Sequence, residues 1–84
     1  MNLGNLAESV SSRDDFAAFV DALRGDLSAH PAEWENQTLE HFLEALSAWV
    51  RDMDGYYQNH GRPVPAKPDW RNVAEMLLAA KMYE

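Results

Sequence analysis

The sequence predicts an all-α domain, a small bundle of three main helices preceded by a short, weakly ordered helical lead-in. Three observations carry that expectation. Apolar residues recur at helical spacing in three stretches of the 84-residue chain, those stretches open on residues able to cap a helix, and a proline-containing segment over 58–68 separates the second from the third. The length allows one hydrophobic core and one domain.

Residues 1–11 carry Leu3, Leu6 and Val10 among Gly4 and two asparagines, too sparse a pattern for more than a lead-in. Ser12-Arg13-Asp14-Asp15 reads as a helix start, with Ser12 as cap and two acids favoured by the positive end of the helix dipole. From Arg13 on, Phe16, Phe19, Val20, Leu23 and Leu27 fall within an arc of roughly 100°, so one face is buried. The His30-Pro31 pair ends this helix between Asp26 and Ala29, because a residue before proline is pushed out of the helical region. After Trp34-Glu35-Asn36 comes the strongest signal, an amphipathic stretch from Gln37 to about Tyr57, with Asn36 or Thr38 as cap. Its apolar positions, Leu39 to Tyr57, occupy roughly 140° of the circumference, and Gly55 weakens the last turn by about 1 kcal/mol relative to Ala.

Pro63, Pro65 and Pro68 hold the following loop extended. Asp69 then caps a last helix from Trp70 to about Tyr83. Val73, Ala74, Leu77 and Ala80, widened by Met76, Leu78 and Met82, spread apolar surface over roughly 240°, more than one neighbouring helix covers. Either two neighbours flank this helix at the centre of the bundle, or Leu78 and Met82, joined by Met76, form an exposed patch for a partner or a second copy. Trp49 lies on a core stripe. Trp34 and Trp70 stand at element starts, where an indole covers a bundle end or anchors a binding surface.

Composition excludes several classes. Seven Lys and Arg stand against 14 Asp and Glu, a net charge of −7 that repels phosphate backbones and anionic membranes. The acids concentrate in residues 1–60. The basic groups Arg62, Lys67, Arg71 and Lys81 gather in the last 24 residues, too few for a nucleic-acid stripe. No apolar run reaches the eighteen or so residues of a membrane span, and Met1 to Ser12 lacks the regions of a signal peptide, so a cytoplasmic setting is the expectation. There is no cysteine, hence no disulfide framework to supplement a small core, and small chains in that position often associate; a homodimer is one expectation.

No catalytic constellation has supporting context. His30, His41 and His60 are far apart, and His41 beside Glu40 and Glu44 lacks further ligands to complete a metal site. The carboxylates are expected on solvated faces, with no glycine-rich phosphate loop and no nucleophile–histidine pair. Neither an enzyme nor a cofactor or metal is therefore expected. Arg62-Pro63-Val64-Pro65 matches the basic-plus-prolines form of polyproline ligands, a short pattern that more often just stiffens a linker.

Trp34-Glu35-Asn36, then Leu39, Phe42-Leu43, Ala45 and Trp49, and after the loop Trp70 and the end Ala80-Lys81-Met82-Tyr83-Glu84, resemble a family of small uncharacterised bacterial domains. The likeness runs over nearly the whole chain from Phe16 on. It implies a bacterial source and no particular activity. It also suggests that Glu35 or Glu84 accepts a hydrogen bond from a neighbouring indole or tyrosine, tying the chain ends together.

The function expected is a non-enzymatic protein-interaction module. Trp70, Leu78 and Met82 supply apolar contacts, while Glu40, Glu44, Asp52 and Asp54 on the long helix steer a basic partner surface. The alternative is an acidic inhibitor or immunity-type protein that blocks a basic toxin or nuclease by charge complementarity.

Overall fold

Ser12, Thr38 and Asp69 each stop one unpaired amide at the start of a helix, and the three main helices begin where those caps place them. The computed structural model describes residues 2–84. It contains α1 (Leu3–Glu8), α2 (Arg13–Ala29), α3 (Leu39–Asn59) and α4 (Trp70–Ala80), with a single 3-10 turn at Pro31–Glu33 between α2 and α3. No strand occurs among the described residues, and the fold is the small all-α bundle that the periodicity predicts. The Ser12 hydroxyl accepts from the Asp15 N–H at 3.1 Å, the Thr38 hydroxyl from His41 N–H at 3.1 Å and the Asp69 carboxylate from Asn72 N–H at 2.7 Å. Thr38, not Asn36, is thus the cap of α3. Asp15 reaches back to accept from the Ser11 amide and hydroxyl, and these bonds lower its pKa.

α3 runs through Gly55 to Asn59 without a break, two residues beyond the expected end. It stops at Gly61, whose φ of 65° is the left-handed conformation glycine adopts without a Cβ penalty. The Gly61 N–H then bonds the Gln58 carbonyl and the Arg62 N–H bonds the Tyr57 carbonyl at 2.9 Å, closing the helix in a Schellman motif.

The lead-in differs most from its sequence expectation. Met1 lies outside the described residues, but Leu3–Glu8 form a helix capped by Asn2, with Ala7 and Val10 fully in the core and Leu3 and Leu6 packed against it. The reason lies in α4. Its apolar surface is too wide for α2 and α3 alone, and α1 covers part of the remainder, touching both α2 and α4. α4 is accordingly the hub: it packs on α1, α2 and α3, and Asn72, Ala74, Glu75 and Ala80, which point in different directions around it, are all buried. Of the two readings of its wide stripe, the central one is correct.

Polar ties hold the chain end to this hub. The Trp34 indole N–H donates to the Asp26 carboxylate at 2.8 Å, and the Lys81 ammonium donates to the same oxygen at 2.9 Å while lying 5.6 Å from the Trp34 ring. The Lys81 bond, followed by that of Trp34, lowers the Asp26 pKa. Asn36 closes the end of α4: its amide N–H donates to the Lys81 carbonyl, and its side-chain NH2 donates to the carbonyls of Ala80 (3.0 Å) and Tyr83 (2.8 Å). Carbonyls of a last helical turn have no partner within their own helix, and Asn36 supplies one from 44 residues away. The Trp-Glu-Asn element and the terminal residues therefore meet in space. Neither Glu35 nor Glu84 accepts the indole or tyrosine hydrogen bond, however: Trp34 donates to Asp26 and Tyr83 to Asp52.

Replacing Asn36 by Ala leaves the Ala80 and Tyr83 carbonyls without their donor. We expect urea denaturation to show a loss of about 1–3 kcal/mol. A loss below about 0.5 kcal/mol would mean that water serves these carbonyls equally well.

Candidate functional site

α2 and α3 flank α4 but do not meet each other; their backbones stay more than 8 Å apart throughout. Between them lies an open apolar trough. Val20, Leu23, Arg24 and Leu27 form one wall, Leu39 and Phe42 the other, Leu77 of α4 the floor and Trp34 one end, enclosing about 330 Å³. The amphipathic spacing that buries α2 and α3 against α4 also puts apolar residues on this side, where the molecule offers nothing to cover them. Leu39 is 73% exposed and Leu43, one turn on, 52% exposed. Along α4, Trp70 lies two turns from Leu77 on the same side of the helix, 42% exposed, with its ring 5.4 Å from that of Phe16. Arg24 is the one ionic side chain lining the trough among the described residues.

The residues expected to form a C-terminal patch do not share one surface. Trp70 belongs to the trough side. Leu78 faces the other way, packed against the core and lining a hollow with Gly4, Ala7, Trp49 and Tyr56. Met82 is 54% exposed beyond the last turn of α4. Glu40, Glu44, Asp52 and Asp54 are all exposed on the outer side of α3, but Asp52 is engaged by the Tyr83 hydroxyl. Glu44 borders a polar hollow with Glu35, His41 and Glu84. There the hydrogen bond that protonated Glu35 donates to the Glu84 carboxylate, and then the Glu84 charge, push the Glu35 pKa up. No group of three or more His, Asp or Glu side chains among the described residues is arranged to hold a metal.

A second cluster, which the sequence did not disclose, sits where α3, the proline loop and α4 converge. Asn72 donates to the Tyr57 hydroxyl at 2.8 Å, that hydroxyl donates to Glu75 at 2.8 Å, and Arg62 grips the same carboxylate with two bonds of 2.8 and 3.2 Å. The guanidinium also lies over the Tyr57 ring, 4.9 Å from its centroid. Glu75 is only 7% exposed, contrary to the expectation that the carboxylates are solvated. On a helix surrounded by others no face is free for an acid, so a carboxylate there must be buried and paired. Arg62 can reach it because the Gly61 turn delivers the chain onto Tyr57. With Arg62 turned inward, the polyproline-type motif has lost the basic residue it would present to a reader. Tyr57 is pushed up to about 12, mainly by burial and then by its bond to Glu75, so at neutral pH it is a protonated hydrogen-bond donor.

The sequence pattern of a protein family described as a family of unknown function (DUF7660) matches residues 12–84. No curated protein and no solved structure gives a significant match.

The raised Tyr57 pKa fixes a pH dependence. The folded state holds this proton more tightly than the unfolded chain, whose tyrosine titrates near 10, so the stabilisation is complete below pH 10 and is lost as pH rises through about 12. Ultraviolet titration of phenolate should show a late tyrosine step that Tyr57→Phe removes, separate from the rise of Tyr83 that its bond to Asp52 causes. An unchanged titration curve in that variant would show that the buried hydroxyl is not held as described.

Proposed function

The chain belongs to the DUF7660 family, and we propose that it is a non-enzymatic protein-interaction module whose working surface is the trough between α2 and α3. One observation carries the reading: helices built to bury an apolar stripe leave large side chains uncovered on both walls, above a floor formed by the core helix itself. Isolated exposed leucines are ordinary on protein surfaces, but a contiguous apolar trough walled by two helices is the form that accepts another polypeptide's helical face. The expected binding surface thus shifts from the end of α4 to its flank, where Leu77 and not Leu78 lines the trough. A bacterial, cytoplasmic setting belongs to the same proposal; no helix of the described residues is long and apolar enough to cross a membrane.

Inhibition of a basic toxin or nuclease is the second reading. It is favoured by the crowding of Glu35 against Glu84 next to Glu44, where uncompensated negative charge would welcome a cationic surface. The two readings place the contact on different surfaces.

Position-specific photo-crosslinking in native cells separates them. A photoreactive side chain at Leu39 or Leu43 should give discrete polypeptide adducts, with none from Ala18 on the outer side of α2. Adducts arising instead from positions 35 and 44, with the trough positions silent, would replace the module reading by the inhibitor reading.

A further inference from the structure

α1 is joined to the rest of the molecule by apolar contact alone. Among the described residues, every hydrogen bond made by residues 2–10 ends within 2–10, and no ion pair leaves that segment. The start of α2 is closed without it: Ser11, Ser12 and Asp15 satisfy one another, so the boundary falls between Val10 and Ser11. α2 and α3, by contrast, are clasped to α4 and its end by the Asp26–Lys81 and Tyr57–Asn72 bonds. The family pattern, too, begins at residue 12, covering α2, α3 and α4 but not α1.

What α1 fills, it fills incompletely. Ala7 and Val10 are buried, and Leu3 and Leu6 pack on the core that α1 forms with α2 and α4. On the α3 side α1 presents Gly4 and Glu8, one turn apart, and a hollow of about 230 Å³ lies between them and Trp49, Tyr56 and Leu78. Gly4 brings no side chain to this space, and Glu8 is exposed. Glycine is also a poor helix former, and a helix of six residues without tertiary support is marginal in water. α1 thus lies in a groove shaped for a helix and leaves the space along its α3 wall unfilled.

We infer that this groove, floored by α4 and walled by α2 and α3, is a helix-binding site in which α1 is a built-in, displaceable occupant. Its ligand is a helix of another polypeptide that matches the apolar spacing of Leu3, Leu6, Ala7 and Val10 but carries large apolar side chains at the positions of Gly4 and Glu8.

Such a helix covers the surface that α1 covers and fills the hollow as well, so it gains burial that α1 lacks. α1 has the advantage of its tether, which keeps it at high effective concentration beside the groove. The tether therefore sets an affinity threshold, and α1 acts as an autoinhibitory segment that only a better-fitting helix displaces. The groove shares no lining residue with the trough, and the two surfaces stand or fall separately.

Fluorescence anisotropy tests the inference, with a labelled peptide of residues 2–12 carrying Gly4→Leu and Glu8→Leu titrated with the full chain. Saturable binding is expected, at least about tenfold tighter than that of the unmodified peptide. Ala7→Glu in the full chain puts a charge beneath α1 and should release it, strengthening peptide binding at least about tenfold while the remaining helices still unfold cooperatively. Leu39→Lys, in the trough, should leave peptide binding unchanged. Filling the hollow within the chain gives a second readout: Gly4→Leu with Glu8→Leu should raise the melting temperature by about 4 °C or more over Gly4→Ala with Glu8→Ala, a control that removes the glycine and the charge without adding bulk. The inference is overturned if the peptide fails to bind the Ala7→Glu chain, if Leu39→Lys abolishes binding, or if the bulkier pair melts no higher than its control. Global unfolding of the Ala7→Glu chain overturns it too, since α1 would then be an inseparable part of the core.

Discussion

α4 is apolar over about two-thirds of its circumference, and the rest of the structure follows from the need to cover it. An isolated helix of eleven residues is marginal in water, so α4 exists because its neighbours enclose it, and they in turn find their apolar stripes satisfied only against it. This reciprocity explains why α1, a six-residue helix of weak periodicity, is ordered at all. It explains equally why a glutamate and an asparagine on α4 are drawn into the interior and must be paired there. Three neighbours are still one too few. The side of α4 between α2 and α3 is left as the floor of a trough, and the candidate functional surface is the remainder of an incompletely solved packing problem.

Much of this was legible in the residues. The 3.6-residue spacing located α2, α3 and α4, the caps at Ser12 and Asp69 fixed the starts of α2 and α4, and the breadth of the α4 stripe called for either several neighbours or an exposed patch. What was not legible depends on distance along the chain. Nothing local to Leu3 or Ala7 reveals that α4 awaits them. Arg62 looks like part of a proline-rich motif until the Gly61 turn carries it onto Glu75. Trp70, Leu78 and Met82 lie apart because helical spacing places residues on faces but does not tell which face a neighbour occupies: α1 packs beside half-buried Leu78, while Leu39 is left exposed. The exposed stripe on α3 was present in the sequence, but a stripe of 140° reads as core until one sees that α4 covers only part of it.

The polar contacts divide into two clasps at opposite ends of α4. At its start, Tyr57, Asn72, Glu75 and Arg62 join the end of α3 and the loop to the hub; at its finish, Asp26, Trp34, Asn36 and Lys81 join the end of α2 and the chain terminus to it. Buried pairs of this kind contribute less to stability than their Coulomb attraction suggests, because each charge first loses its water. Their geometry ties the ends of α2 and α3, the loop and the chain terminus to α4.

Native-state amide hydrogen exchange addresses the hub directly. The interior amides of α4, Ala74 to Leu78, should exchange only through global unfolding and be the slowest in the protein, although α3 is nearly twice as long. If α4 exchanges by local opening while α3 remains protected, the long helix carries the fold by itself and α4 is a dispensable attachment.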